Sequence, residues 1–257
     1  MYNWLFSAWH EVCCTICSLH SGLIDVCKKY VVTPWRDQRG CAGSFPRDFR
    51  DSVPSDRRHN GGVVVRSIYL LRHPEIKGKG RYIGRTNAEL SENGLKQAER
   101  IKAYFKDIKL DMVISSPLKR CRGVAEQIAL QKDTRLIIEE CLAEIDFGLW
   151  EALSYNEIEK EYREEWEEYM ARPLLFTFPQ GDNVVNYINK SAACFERYAG
   201  EFTGNILFVS HAGFIKSVIS KIWYDDVRQF FNIDCSYASF YQLNGKNAPV
   251  YKPYPFY

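Results

Sequence analysis

No stretch of this 257-residue chain reaches the roughly 18 consecutive apolar residues of a membrane-spanning helix. There is no basic leader followed by an uninterrupted apolar run either, because His10 and Glu11 break the N-terminal apolar stretch. A secretory signal is therefore not expected. Charge of one sign is also missing. The net charge is +2, and residues 67–257 carry 25 Lys/Arg against 26 Asp/Glu, which leaves no basic footprint for nucleic acid. No internal repeat is visible. These absences read together as a soluble cytoplasmic protein with neither nucleic acid nor membrane as a partner. They say nothing about oligomeric state.

Cysteine is present but not patterned. Of nine, five (Cys13, Cys14, Cys17, Cys27, Cys41) fall in the first 41 residues, and Cys121, Cys141, Cys194 and Cys235 are scattered downstream. That spacing suggests reduced thiols rather than a disulfide framework. Cys14, Cys17, Cys27 and Cys41 with His10 and His20 invite a metal reading, but their intervals match no zinc module.

The chain divides at about residue 62. Residues 1–62 form a Cys-rich stretch, with an amphipathic helix expected around Trp4 to Val26, followed by a linker rich in Pro, Gly and Arg. This extension is expected to be largely irregular, and residues 63–257 form the folded domain. Strand patterns there are Val63 to Leu71, Asp111 to Ser115, Arg135 to Glu139 and 205–210, with an alternating edge strand from Tyr237 to Leu243. Helices are expected from a Ser91 N-cap, from about Pro117 to Leu130, over Tyr155 to Met170, over Asp182 to Tyr198, and over Ala212 to Ile222. Strands alternating with helices imply an α/β domain: three layers, with a mainly parallel sheet flanked by helices.

In such sheets chemistry collects beyond the carboxyl ends of strands. The first strand ends in Arg72-His73, and a later one ends in Val209-Ser210-His211-Ala212-Gly213 at the start of a helix, whose free N–H groups favour an anion. Ser115-Ser116-Pro117-Leu118-Lys119-Arg120 follows the second strand, and Glu144-Ile145-Asp146-Phe147-Gly148-Leu149-Trp150-Glu151 follows the third. An imidazole nucleophile, cationic donors and a carboxyl acid are what phosphoryl transfer through a covalent intermediate requires. Ser210, next to His211, does not make a Ser-His hydrolase, because neighbouring strand residues face opposite sides.

The ordered motifs Leu-Arg-His (71–73), Gly-Arg-Thr-Asn-Ala-Glu-Leu-Ser-Glu-Asn-Gly-Leu-Lys-Gln-Ala (84–98), Ser-Ser-Pro-Leu-Lys-Arg, Glu-Ile-Asp-Phe-Gly-Leu-Trp-Glu and Val-Ser-His-Ala-Gly resemble the histidine phosphatase (phosphoglycerate mutase-like) superfamily. The resemblance runs from about Ser67 to Trp223, and it is nearest the small phosphatases, alpha-ribazole phosphatases among them. It implies that His73 is the nucleophile, that Arg72, Arg120 and His211 cradle the phosphoryl oxygens, and that Glu144 is the general acid and later the base. Arg85, Thr86 and Asn87 are expected to border the substrate. Trp166 and Tyr169 are candidate lid residues, and Asp146 and Glu151 candidate helpers of the acid. Neither metal nor other cofactor is implied. The expected activity is hydrolysis of the phosphomonoester of a small phosphorylated metabolite. A phosphomutase, or a catalytically weak member serving as a scaffold, is the alternative. Two departures stand out: Pro74 where most relatives have Gly, and Gly181-Asp182-Asn183 where many have Gly-Glu-Ser.

Overall fold

The computed structural model describes residues 66–245 and 247–256. The expected extension over 1–62 and its helix around Trp4 to Val26 lie outside the described residues, as do Val63 to Val65.

In chain order the elements are β1 (Ser67–Arg72), α1 (Glu92–Phe105), β2 (Met112–Ser115), α2 (Lys119–Lys132), β3 (Arg135–Ile138), α3 (Tyr155–Glu161), α4 (Arg163–Ala171), α5 (Val184–Glu201), β4 (Ile206–Ser210), α6 (Ala212–Val218), β5 (Phe240–Asn244) and β6 (Val250–Lys252). The strands form one sheet in the order β3-β2-β4-β1-β5-β6. The pairs β3–β2, β2–β4 and β4–β1 are parallel, and β1–β5 and β5–β6 are antiparallel. The sheet is thus parallel over its first four strands and mixed overall.

Side chains alternate across a strand, so each buried strand feeds two layers. Ile68 and Leu70 of β1, Met112 and Ile114 of β2, and Ile206 and Phe208 of β4 pack with Phe195, Tyr198 and Phe214 of α5 and α6. Tyr69, Leu71, Val113, Leu207 and Val209 face the other way, against Ala98, Ile101 and Phe105 of α1 and Val124, Ala125 and Ile128 of α2. Such two-sided burial is why the strands read as continuous apolar runs. The α1 start was legible: Ser91 Oγ accepts from Gly94 N at 3.0 Å.

The structure departs from the sequence expectations at four places. The single helix expected over Tyr155 to Met170 is two helices, broken at Tyr162 (φ −131°, ψ 48°). The strand expected at the sheet edge is interior, because β6, three residues long, pairs outside it. The helix from Ala212 continues beyond Val218 as a π-helical turn, Ile219–Trp223. Cys141 and Cys194, expected as reduced thiols, are joined in a disulfide, with Cα atoms 6.1 Å apart across a sequence separation of 53. Cys121 and Cys235 are free. Among the described residues no helix is long and apolar enough to cross a membrane.

Candidate active site

Three neighbouring parallel strands deliver the site. His73 N donates to Ser210 O at 3.0 Å and Ser116 N to Val209 O at 3.0 Å, which extends the β1–β4 and β2–β4 ladders by one residue. His73, Ser116 and His211 are therefore fixed side by side at the carboxyl edge. The two imidazole rings lie 5.1 Å apart, centre to centre.

His73 is buried, and its Nδ1 lies 2.7 Å from Pro74 O. A carbonyl oxygen only accepts, so in the neutral ring Nδ1 carries the proton and the Nε2 lone pair is left free. Burial first, and then the Arg120 and Arg72 charges, hold the imidazole well below its ordinary pKa. The neutral, nucleophilic form therefore prevails near neutral pH. Pro74 contributes the carbonyl that sets the tautomer, a role that needs no N–H.

His211 is fully buried. Arg120 Nε, which only donates, reaches its Nδ1 at 3.2 Å, and its Nε2 lies 2.7 Å from Ser116 Oγ. The proton of neutral His211 is thus on Nε2. Burial, followed by Arg120 and His73, also lowers the pKa of this ring well below its ordinary value.

The two arginines are held differently. Arg72 donates from Nη1 to Cys235 O and lies over the Tyr237 ring at 4.0 Å, while its buried Nε has no partner among the described residues. Arg120, 1% exposed, donates to Thr86 O at 2.7 Å and to Gly84 O at 2.7 Å. One guanidinium therefore joins His211 to the 83–86 loop.

Glu144 lies within the 143–147 connection. Its Oε2 accepts from Gly213 N at 3.3 Å, and its Oε1 lies 3.2 Å from both Tyr187 Oη and Ile145 N. The first turn of α6 thus faces the Glu144 carboxylate. A Cβ at Gly213 would sit 2.2 Å from Glu144 Oε1, so a side chain there would push the carboxylate out of this position. Ser210 Oγ points away from His211 and donates to Leu142 O at 2.7 Å, pinning the turn before Glu144.

The residues expected to border the substrate are partly engaged with the protein. Thr86 Oγ1 donates to Glu151 Oε2 at 2.6 Å, and Asn87 Oδ1 accepts from Lys119 N at 3.0 Å at the start of α2. Arg85 lies 3.8 Å from Glu140. Glu151, weighed as a helper of the acid, also accepts from the backbone of Gly84, Arg85, Thr86 and Phe147 and fastens the loop. Asp146 Oδ1 accepts from Gly148 N, and Asp182 Oδ2 accepts from Asp146 N at 2.9 Å. The shorter acid in Gly181-Asp182-Asn183 therefore braces that loop. Trp166 and Tyr169, expected at a lid surface, are buried against Trp150 with centroids 5.9 and 5.6 Å away. Ser116, Tyr187 and Tyr237 were not singled out from the sequence. Ser116 belongs to the Ser-Ser-Pro-Leu-Lys-Arg motif, but nothing local marks the two tyrosines.

The family model described as the histidine phosphatase superfamily (branch 1) matches residues 68–249. Phosphoserine phosphatase 1 of Hydrogenobacter thermophilus is 28% identical over 176 residues, covering 67% of this chain and 83% of that protein. An acid phosphatase of Mycobacterium tuberculosis is 32% identical over 168 residues, 62% of this chain and 77% of its own. Among solved structures, the alpha-ribazole phosphatase from Shigella flexneri aligns with a TM-score of 0.65 at 22% identity, over 72% of this chain and 94% of that chain. That likeness concerns the fold.

Proposed function

Because the chain belongs to the histidine phosphatase superfamily (branch 1), we propose that it hydrolyses the phosphomonoester of a small phosphorylated metabolite through a phosphohistidine at His73. The observation that carries this reading is the Nδ1–H bond to Pro74 O, made by a buried imidazole beside two arginines. It leaves Nε2 as the one basic nitrogen of the ring.

In the first step His73 Nε2 attacks phosphorus and the P–O bond to the leaving group breaks. Glu144 gives its proton to the departing alkoxide. In the second step Glu144, now a carboxylate, takes a proton from water as its oxygen attacks phosphorus, and the P–N bond breaks to release phosphate and restore His73. Arg72 Nε and the Arg120 guanidinium supply positive charge to the phosphoryl oxygens, and the neutral His211 ring supplies its Nε2–H as a donor in exchange for Ser116 Oγ. Charge-assisted bonds of that kind contribute roughly 1.5–3 kcal/mol each. Binding phosphate at Arg120 requires exchange of some loop carbonyl bonds, so Thr86 and Arg85 act at the rim of the same site. On this reading the cationic side chains carry the charge neutralisation that a metal supplies elsewhere.

The relatives are named for different substrates, phosphoserine and alpha-ribazole phosphate among them, so their names support a phosphatase without fixing the group that carries the phosphate. The proposal extends to the cytoplasm as the place of action. There the Cys141–Cys194 bond has to persist against reducing thiols, and Cys194 is buried.

The test is p-nitrophenyl phosphate hydrolysis in EDTA by the intact chain and by His73→Ala, with trapping of an acid-labile phosphoenzyme. Turnover that disappears with His73 supports the reading. Turnover that survives the substitution assigns the nucleophile elsewhere, and turnover that requires added metal overturns the charge assignment.

A further inference from the structure

The general acid is held by a group outside the set that makes or breaks the phosphorus bonds. Tyr187 sits in the first turn of α5, and its hydroxyl lies 3.2 Å from Glu144 Oε1 and 3.1 Å from Ala143 O. The residue is 5% exposed, so these contacts lie inside the fold. A phenol has one proton and two acceptors are in reach, so the hydroxyl is shared between a neutral carbonyl and the acid.

The helix that carries Tyr187 is itself tied to this connection. Seven residues on, two turns along the same face, Cys194 is bonded to Cys141, three residues before Glu144. Opposite Tyr187, Gly213 N donates to the other carboxylate oxygen. Glu144 is thus held at Oε2 from α6 and at Oε1 from α5, with Ile145 N of its own connection also on Oε1. Burial first, and then the nearby Glu144 charge, push the Tyr187 phenol well above its ordinary pKa, which keeps it a donor at any working pH.

We propose that Tyr187 is a positioning residue for Glu144, its hydroxyl orienting the carboxyl group and receiving the charge that appears on Oε1 as the proton leaves for the substrate oxygen. This rests on the reading of Glu144 as the acid. Before transfer the phenol proton is divided between Ala143 O and Glu144 Oε1. After transfer it belongs to the carboxylate, the stronger acceptor. No electrons move and no further reactant enters: one proton passes from Glu144 to the leaving oxygen, and the Tyr187 proton stays on Tyr187.

The experiment compares kcat/KM for phenyl phosphate and p-nitrophenyl phosphate with the intact chain, Tyr187→Phe and Glu144→Gln. The two substrates have similar shapes, but phenolate is the more basic leaving group and depends more on protonation. Because kcat/KM covers the steps through phosphorylation of His73, water attack does not enter. Each ratio is read on one preparation, so any inactive fraction cancels. Tyr187→Phe is expected to lose about tenfold more on phenyl than on p-nitrophenyl phosphate, a part of the roughly 10²–10⁴ that a placed general acid contributes. Glu144→Gln is expected to shift the same ratio further. A shift in Glu144→Gln with none in Tyr187→Phe overturns the positioning role and leaves Glu144 as the acid. No shift in either variant removes Glu144 as the acid and this inference with it. A shift confined to Tyr187→Phe also overturns it, in favour of Tyr187 as the proton donor.

Discussion

Replacing Glu151 with alanine is expected to destabilise the domain and weaken substrate binding together, although Glu151 touches neither histidine. Its carboxylate accepts five hydrogen bonds. Two are short, from Thr86 Oγ1 at 2.6 Å and Arg85 N at 2.8 Å, and three are long, from Gly84 N, Thr86 N and Phe147 N at 3.2, 3.2 and 3.3 Å. A hydrogen bond to a charged group contributes about 1.5–3 kcal/mol. Thr86 is exposed, so water recovers part of its loss, and the three long bonds add little. The net cost is about 3 kcal/mol. For a domain of this size, that corresponds to a fall in melting temperature of about 6–12 °C. The loop carbonyls of Gly84 and Thr86 that hold Arg120 then lose their anchor, and KM is expected to rise. Differential scanning calorimetry and steady-state kinetics on Glu151→Ala and Glu151→Gln measure both effects, with the Gln variant intermediate. A melting temperature lowered by less than about 2 °C in Glu151→Ala, with KM unchanged, refutes the anchoring role.

The buried histidines set a direction for pH dependence. His73 and His211 both have folded-state pKa values below the ordinary 6.5, so below pH 6.5 the unfolded chain binds protons that the folded chain does not. Stability is expected to be flat above that pH and to fall as pH drops beneath it. Calorimetry between pH 8 and 5 checks this, and the fall should shrink in His73→Gln; an unchanged acid slope in that variant counts against burial of a neutral imidazole. The Cys141–Cys194 bond closes a loop of 53 residues, for which the chain-entropy relation gives about 4 kcal/mol. Cys141→Ser with Cys194→Ser is expected to melt well below the intact chain in non-reducing buffer and level with it in excess dithiol. Peptide mapping that finds both thiols alkylated without reduction refutes the bond.

What the sequence carried and what it did not have physical causes. The strand ends were legible because β1, β2 and β4 are covered on both faces, so each is an apolar run with a sharp polar end at Arg72, Ser116 or His211. β6 was not, because three residues hold no period. The break at Tyr162 carries neither Pro nor Gly, and the residues around it read as unbroken helix. Trp166 and Tyr169 are aromatic in an acidic segment, which suits a lid as well as a core, and only the position of Trp150 decides between them. Glu144, Asp146 and Glu151 are alike in sequence. Their tasks separate only when Gly213 and the 84–86 loop arrive from elsewhere in the chain, which leaves Asp146 to cap its own turn at Gly148 N. The Cys141–Cys194 pairing is likewise a product of where β3 ends against α5.

The aromatic residues around Trp150, namely Trp166, Tyr169, Phe176 and Phe178, belong to neither of the two clusters that flank the sheet. The segment from Phe147 to Phe178 therefore has a core apart from those two, joined to the loop after β1 by the Tyr82 ring, 5.1 Å from Phe147 and 5.7 Å from Trp150, by backbone bonds between Tyr82 and Ala152 and Leu153, and by Glu151, with Asp182 bracing it from just beyond. A lineage can lengthen, shorten or reshape α3 and α4 and leave the spacing of His73 and His211 untouched. The packing of α3 and α4 and the packing that spaces the two histidines are then different problems, and one can drift while the other is held.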